Sequence, residues 1–206
     1  MKTCVIIPTY NESKAIAGLV LGVRRLGLDI AVIDDGSSDN TAELARESGA
    51  VVLKNASNQG KGASLAKGFN YALSHGYDAV ITMDGDGQHL PEDIPFFLAR
   101  LRDSGSGLII GNRMLRTKRM PRLRLATNVL MSWVISLAAG QKIPDTQCGF
   151  RLLKKELLEK LNISTTKYET ESEILIQSAR LGFAIESIAI KTVYAGEKSQ
   201  INPFID

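Results

Sequence analysis

The feature that most constrains this chain is a rhythm. A short β-branched apolar run ends in a polar cluster, an amphipathic stretch follows, and another apolar run begins. The runs are Cys4–Pro8, Ile30–Asp34, Ala50–Lys54, Ala79–Met83, Leu108–Gly111 and Ala184–Ile190. Helical patterns near Lys14–Leu26, Thr41–Ser48, Gly62–Ser74 and Glu92–Arg102 separate the first five. Strands that are apolar throughout are covered on both faces, and their alternation with helices predicts an α/β domain with a mostly parallel sheet wound by right-handed crossovers. A length of 206 residues accommodates one such domain with a sizeable core and argues against two. Asn40 with Glu43 three residues on predicts a capping box, and Pro91 ahead of Glu92-Asp93 predicts a helix start.

In open parallel sheets, ligands bind beyond the carboxyl ends of the strands. The chemistry-bearing residues of this chain fall there. Pro8-Thr9-Tyr10-Asn11-Glu12 follows the first run and Asp34-Asp35-Gly36-Ser37-Ser38-Asp39 the second. Asn58-Gln59-Gly60-Lys61-Gly62 follows the third, Asp84-Gly85-Asp86-Gly87-Gln88-His89 the fourth and Gly111-Asn112-Arg113 the fifth. Asp84 and Asp86 are hard oxygen ligands on one turn, suited to a Mg²⁺ or Mn²⁺ ion that neutralises a diphosphate, with Gln88 as a further oxygen. In isolation, an acidic turn of this kind is as compatible with plain structure. The Asp34-Asp35 pair reads either as a turn ending in a helix cap or as a carboxylate for a nucleotide's ribose or base. With Asn40 available as the cap, two aspartates exceed what a turn requires. The glycines around Lys61 do not match the phosphate-loop pattern, and ordinary loop-to-helix glycines are the favoured reading. The first strand does not lead into a G-x-G-x-x-G turn, which counts against a dehydrogenase.

Charge adds a second constraint. From Ser104 to Pro144 there is no Asp or Glu, whereas Arg113, Arg116, Lys118, Arg119, Arg122, Arg124 and Lys142 all lie there. A basic strip on an otherwise slightly acidic chain predicts one anionic partner at one place, and the absence of interleaved aromatics argues against nucleic acid. The strip runs into the uncharged stretch Leu125–Gln141, which carries Trp133 and is about one turn short of the ~20 residues of a membrane span. That pattern fits a helix lying on an anionic membrane surface, and a buried core helix is the competing reading. Cys4 and Cys148 are too few for a disulfide framework, and with no signal peptide at Met1 a cytoplasmic setting is expected. Glu169, Glu171 and Glu173 open a late helix, where the helix dipole already accounts for acids. His75 stands alone and is expected to have no role.

Taken together and in order, these clusters, with Asp145-Thr146-Gln147-Cys148-Gly149-Phe150-Arg151, resemble the motif series of family 2 glycosyltransferases, most closely the dolichyl- or polyprenyl-phosphate mannosyltransferase branch. The resemblance covers nearly the whole chain. It implies one GT-A-like, nucleotide-diphosphosugar-binding catalytic domain over 1–206, with 113–140 as an acceptor or membrane-surface segment. It implies that Pro8, Tyr10, Glu12, Ile33 and Asp35 hold base and ribose, and that Asp84, Gly85 and Asp86 surround the diphosphate. Asp84, Asp86 and Gln88 would ligate Mg²⁺ or Mn²⁺, and Arg113 would meet phosphate. The family's late Gly-Glu-Ser-Lys segment is echoed, with its order changed, in Gly196-Glu197-Lys198-Ser199, which makes Lys198 a phosphate contact. The arginine usual before that segment is absent, and Lys191-Thr192-Val193-Tyr194 stands there.

The activity implied is inverting transfer of a hexose from a nucleotide diphosphosugar, GDP-mannose first among donors, to a polyprenyl phosphate at the cytoplasmic face of a membrane. Asp86, Arg113 and Asp145 are the expected catalytic residues, and Arg122, Arg124 and Arg151 the expected acceptor contacts. Asp145 would act as the base for a hydroxyl acceptor and would only orient a phosphate one. The alternatives are a UDP-glucose enzyme or a polysaccharide or glycolipid transferase of the same fold, a sugar-phosphate nucleotidyltransferase, and a non-catalytic nucleotide sensor. A nucleotidyltransferase would want a Gly- and Lys-rich loop where Thr9-Tyr10-Asn11-Glu12 stands. An aspartyl phosphatase would carry its D-x-D after the first strand, not the fourth.

Overall fold

The computed structural model describes residues 1–115, 122–167 and 169–193, the side chains of 122–124 excepted. One seven-stranded sheet organises them. Its strands are β1 (Thr3–Thr9), β2 (Asp29–Asp34), β3 (Val51–Lys54), β4 (Ala79–Thr82), β5 (Leu108–Asn112), β6 (Arg151–Lys154) and β7 (Ile185–Ala189), in the order β3-β2-β1-β4-β6-β5-β7. All pairings are parallel except those of β6, which runs antiparallel to β4 and β5. Because β6 is reversed between them, β4 and β5 point the same way, and the polar clusters that follow β1, β2, β4 and β5 share one edge.

The helices are α1 (Ile16–Arg24), α2 (Thr41–Glu47), α3 (Lys61–Ser74), α4 (Ile94–Asp103), α5 (Arg122–Ala139), α6 (Lys155–Leu158) and α7 (Thr170–Arg180). Alternation along β1 divides the core. Val5 and Ile7 face Leu19, Val20 and Phe97 on one side of the sheet. Cys4 and Ile6 join Leu65, Phe69, Ile174 and Leu175 on the other. All four β1 residues are fully buried, as expected of a central strand covered on both faces. Side chains of this size contribute roughly 1.5–3 kcal/mol each when buried.

Two local expectations are corrected. Asn40 sits at the N-cap of α2 but makes no side-chain cap. Asp39 supplies it, accepting from the Thr41 amide at 3.0 Å and from the Thr41 hydroxyl at 2.5 Å. The strand β6 was absent from the sequence reading, because its four residues follow directly on a turn motif and are too few to show a period.

Candidate active site

The loops after β1 and β2 are stitched to each other. The Asn11 amide donates to Ser37 Oγ at 2.9 Å, and Asn11 Oδ1 accepts from the Ser38 amide at 2.9 Å. Asn11 has a φ of 56°, a left-handed conformation that asparagine tolerates and bulkier residues resist. The Glu12 amide donates to Thr41 Oγ1 and the Ser13 amide to Asp39 Oδ2. Much of the polar spelling of these two clusters therefore builds the rim of the site. Tyr10 is exposed on that rim, while Pro8 and Ile33 are buried in the strands beneath it.

The paired aspartates divide their work. Asp34 Oδ1 accepts from the Ser37 amide at 3.1 Å and its other oxygen faces Lys54 Nζ at 3.4 Å. Asp35, 4% exposed, accepts from Asn55 Nδ2, the Gln59 amide and the Gly60 amide, at 2.7, 2.9 and 2.8 Å. The surplus of carboxylate has a structural use: Asp35 ties down the loop that delivers Lys61. The glycines there are loop-to-helix glycines. The Thr166 carbonyl accepts from the Gly62 amide at 2.7 Å, so the first turn of α3 is closed by protein. A Cβ on Gly62 would stand 2.0 Å from Thr170 Oγ1, which explains why the position has no side chain.

Lys61 reaches into the site. Its Nζ lies 2.5 Å from Asp84 Oδ1 and 2.5 Å from Glu171 Oε1. Burial works against its ammonium, but the two carboxylates outweigh burial and hold its pKa above the ordinary lysine range. Asp84 Oδ2 faces His89 Nε2 at 3.1 Å. Burial would raise the Asp84 pKa, but Lys61 and His89 outweigh it and hold the carboxyl well below its usual range. Gly149 lets Asp84 approach the 145–151 loop, since a Cβ there would be 2.6 Å from both carboxylate oxygens.

Asp86 differs from its neighbour. It accepts from the Gln88 amide at 2.9 Å, and its pKa is raised, first by burial and then by the Asp84 charge. Asp84, Asp145 and Glu171 each face a cation of this chain, and among the described residues no ion pair is formed by Asp86.

On the far side of the site, Asp145 is fully buried and held by Arg113. Arg113 Nε and Nη2 donate to its two oxygens at 2.8 and 2.9 Å, and the Arg113 amide donates at 3.0 Å. Arg113, expected to meet phosphate, is 5% exposed, and its guanidinium is forked onto Asp145. Arg151, expected as an acceptor contact, lies inside the protein. That side chain is 2% exposed and donates to the carbonyls of Cys148, Glu171 and Thr146 at 2.8, 2.6 and 2.9 Å. It gathers the 145–149 loop onto α7. Burial pushes the Cys148 thiol up to about 12, which leaves it inert.

Lys61, Glu171 and His89 are the site residues that sequence reasoning undervalued. Glu171 looked explained by the helix dipole, and only its burial beside Lys61 reveals the second use. The calls on Lys198 and on the side chains of Arg122 and Arg124 lie outside the described residues, as do Arg116, Lys118 and Arg119. Immediately before the Lys198 segment, the Val193 amide donates to the Gln88 carbonyl and Thr192 bridges to His89, so the chain arrives at the D-x-D loop.

Helix α5 is built inside out. Asn128 and Ser132, 6% and 5% exposed, face the protein, and Trp133 and Leu137, 65% and 73% exposed, face away with Val129 and Leu130. The inward serines are used: Ser132 Oγ accepts from the Thr146 amide at 3.1 Å and Ser136 Oγ from the Ile143 amide at 2.9 Å. No helix among the described residues is long and apolar enough to cross a membrane.

A strand-end acidic turn, a rim of stitched loops and a single mostly parallel sheet are the architecture of the GT-A class. The family model of glycosyl transferase family 2 matches residues 4–162, and the chain belongs to that family; it is a glycosyltransferase. Among its relatives is the polyprenol monophosphomannose synthase of Mycolicibacterium smegmatis, 31% identical over 203 residues that cover 92% of this chain and 76% of that one. Another is the UDP-N-acetylglucosamine–dolichyl-phosphate N-acetylglucosaminyltransferase of Methanococcus voltae, 30% identical over 213 residues, 92% of this chain and 85% of that one. The fold is shared with the glucosyl-3-phosphoglycerate synthase of Mycobacterium tuberculosis, solved with Mn²⁺, UDP and phosphoglyceric acid. That likeness has a TM-score of 0.77 at 21% identity and covers 96% of this chain and 72% of that one.

Proposed function

We propose that this glycosyltransferase moves a hexose from a nucleotide diphosphosugar to a polyprenyl phosphate at the cytoplasmic face of a membrane. The observation that carries the reading is the commitment of Asp145. Its carboxylate is fully buried and takes three hydrogen bonds from Arg113, so it is not presented to an acceptor hydroxyl. A hydroxyl acceptor would need a base at that position, whereas a lipid phosphate arrives as an anion already able to attack. The M. smegmatis and M. voltae relatives are both named for polyprenyl- or dolichyl-phosphate products or acceptors, which supports the same class.

Pro8, Tyr10, Glu12, Ile33 and Asp35 frame the base and ribose, Asp35 through the acceptor position its three donors leave open. Gly85 keeps the backbone of the acidic turn close to the diphosphate. A divalent cation fits the residues present, because Asp86 and Gln88 offer hard oxygens and no cation among the described residues is paired with Asp86. Among the described residues no three His, Cys, Asp or Glu side chains converge, which suits an ion whose remaining ligands come from phosphate and water. Asp86 and Gln88 would hold Mg²⁺ or Mn²⁺, and the ion supplies charge neutralisation for the departing diphosphate. Arg113 positions Asp145 and with it the 145–149 loop beside Asp84. Arg122 and Arg124 at the start of α5 receive the lipid phosphate, and the outward apolar face of α5 lies in the bilayer surface.

GDP-mannose is the first donor to test, because the M. smegmatis relative is named for a phosphomannose product. UDP-sugars come next, after the M. voltae relative and the UDP held by the solved neighbour. The deciding assay offers each donor with Mn²⁺ to undecaprenyl phosphate and to undecaprenol. Transfer to the phosphate at least about a hundredfold faster is expected, because only that acceptor is ionised at neutral pH. Equal transfer to the alcohol, or to a soluble sugar alone, would defeat the lipid-phosphate reading.

A further inference from the structure

The acidic turn carries two aspartates, yet only one of them is available to an incoming ion. Asp84 has both oxygens taken by this chain, one by Lys61 at 2.5 Å and the other by His89 at 3.1 Å. Gly149 closes against the same carboxylate. Lys61 itself is held in place from three directions. Glu171 accepts its second hydrogen bond, Asp35 pins the Gly60 amide before it, and the Thr166 carbonyl pins the Gly62 amide after it. Its side chain is 19% exposed, so water screens it poorly.

We propose that Lys61 is a resident cation that makes metal capture conditional on the donor. With Lys61 on Asp84, the turn presents one free carboxylate and one neutral amide beside a fixed positive charge. Affinity for a divalent ion rises with the number of charged ligands, so a turn with one free carboxylate binds it weakly, and an ammonium nearby lowers the affinity further. A nucleotide diphosphate restores the missing negative oxygens, so ion and donor are held together and neither strongly alone. Lys61 is a positioning residue in this account. It acts on the ion through Asp84, and on the opposite wall through Glu171, whose main-chain carbonyl accepts from Arg151.

The inference rests on the proposed donor chemistry, and its test is separable from it. Direct Mn²⁺ titration, followed by the loss of the free-ion electron paramagnetic resonance signal, is run on the full chain first without any nucleotide. Lys61→Met is expected to gain saturable Mn²⁺ binding at least about tenfold tighter than the wild type, because Asp84 becomes a second charged ligand. Lys61→Arg keeps the cation and is expected to stay close to the wild type. Adding Asp84→Asn to Lys61→Met is expected to abolish the gain, which a general loosening of the fold would not do. Should Lys61→Met fail to fold, Lys61→Met with Glu171→Gln keeps the buried charge balanced and carries the same expectation. Folded variants that bind Mn²⁺ no more tightly than the wild type would overturn the proposal, as would wild-type protein that binds it equally well with and without GDP or UDP. A wild type that takes neither nucleotide with Mn²⁺ would instead count against the donor reading, while the nucleotide-free comparison of Lys61 variants still decides the role of Lys61.

Discussion

Two regions of the molecule depart from the usual rule of burial in opposite directions. At the strand ends, Asp84, Lys61, Glu171, Arg113 and Asp145 are charged and largely withdrawn from water, each beside an opposite charge. On α5, Val129, Leu130, Trp133 and Leu137 are apolar and left outside, while Asn128 and Ser132 turn in. Both inversions have a cost in an isolated soluble protein. Charge taken from water requires nearly complete pairing, and an exposed apolar face requires something to cover it. The first region solves its problem internally. The second is left uncovered by the described residues, and the inward serines of that helix hold the very loop on which Asp145 sits.

The contrast breaks most visibly at the buried pair. Arg113→Met leaves the Asp145 carboxylate buried without a partner, and a loss of about 3–5 kcal/mol in urea unfolding is expected. Converting Asp145 to Leu in the same chain should recover most of that loss. If the single variant is as stable as the wild type, the pair does not hold the loop. A middle-sized effect is expected at Glu173, which takes the amides and hydroxyls of Ser164 and Thr165, the hydroxyl contacts both at 2.6 Å. Burial alone would raise its pKa, but those donors lower it from 4.5 to about 2. A depressed folded pKa stabilises above the unfolded value, so this contribution is present above 4.5 and is lost as pH falls toward 2. Glu173→Gln should cost about 1 kcal/mol at neutral pH and flatten the acid limb of the stability profile between those values. An unchanged acid limb would mean the carboxylate is not held as described.

The smallest stability effect is expected on α5. Trp133→Ser with Leu137→Ser removes apolar groups that touch little protein, so unfolding should shift by no more than about 0.5 kcal/mol. Binding to anionic vesicles should fall at least about tenfold, since each such side chain contributes roughly 1.5–3 kcal/mol when covered. A large loss of stability with unchanged vesicle binding would place the helix in an ordinary protein interface.

The strand ends were legible because a parallel sheet makes them so. Apolar runs at β1, β2, β4 and β5 placed Asp35, Asp84, Asp86 and Arg113 on one edge before any coordinate was known. What stayed hidden was partner choice. Nothing near Arg113 in sequence says that its fork faces Asp145, 32 residues later. Lys61 looked like a loop residue because Glu171, its second partner, is 110 residues away. Arg151 looked like an acceptor contact because a motif conveys residue type and not the direction a side chain takes. The outward apolar face of α5 was suggested by its basic approach and its Trp, but the inward role of Ser132 and Ser136 needed the loop they hold.

The bridge from Asp84 through Lys61 to Glu171 also bears on the order in which the protein acquires its competence. Contacts that join distant parts of a chain form late, because a long loop must close before they repay its entropy. On a ribosome, β1 through β4 can emerge while Glu171, the second partner of Lys61, has not yet been made. Until α7 arrives, the acidic turn has lost none of its charge but has only part of its frame. The frame around the acidic turn is therefore complete only once α7 has joined it.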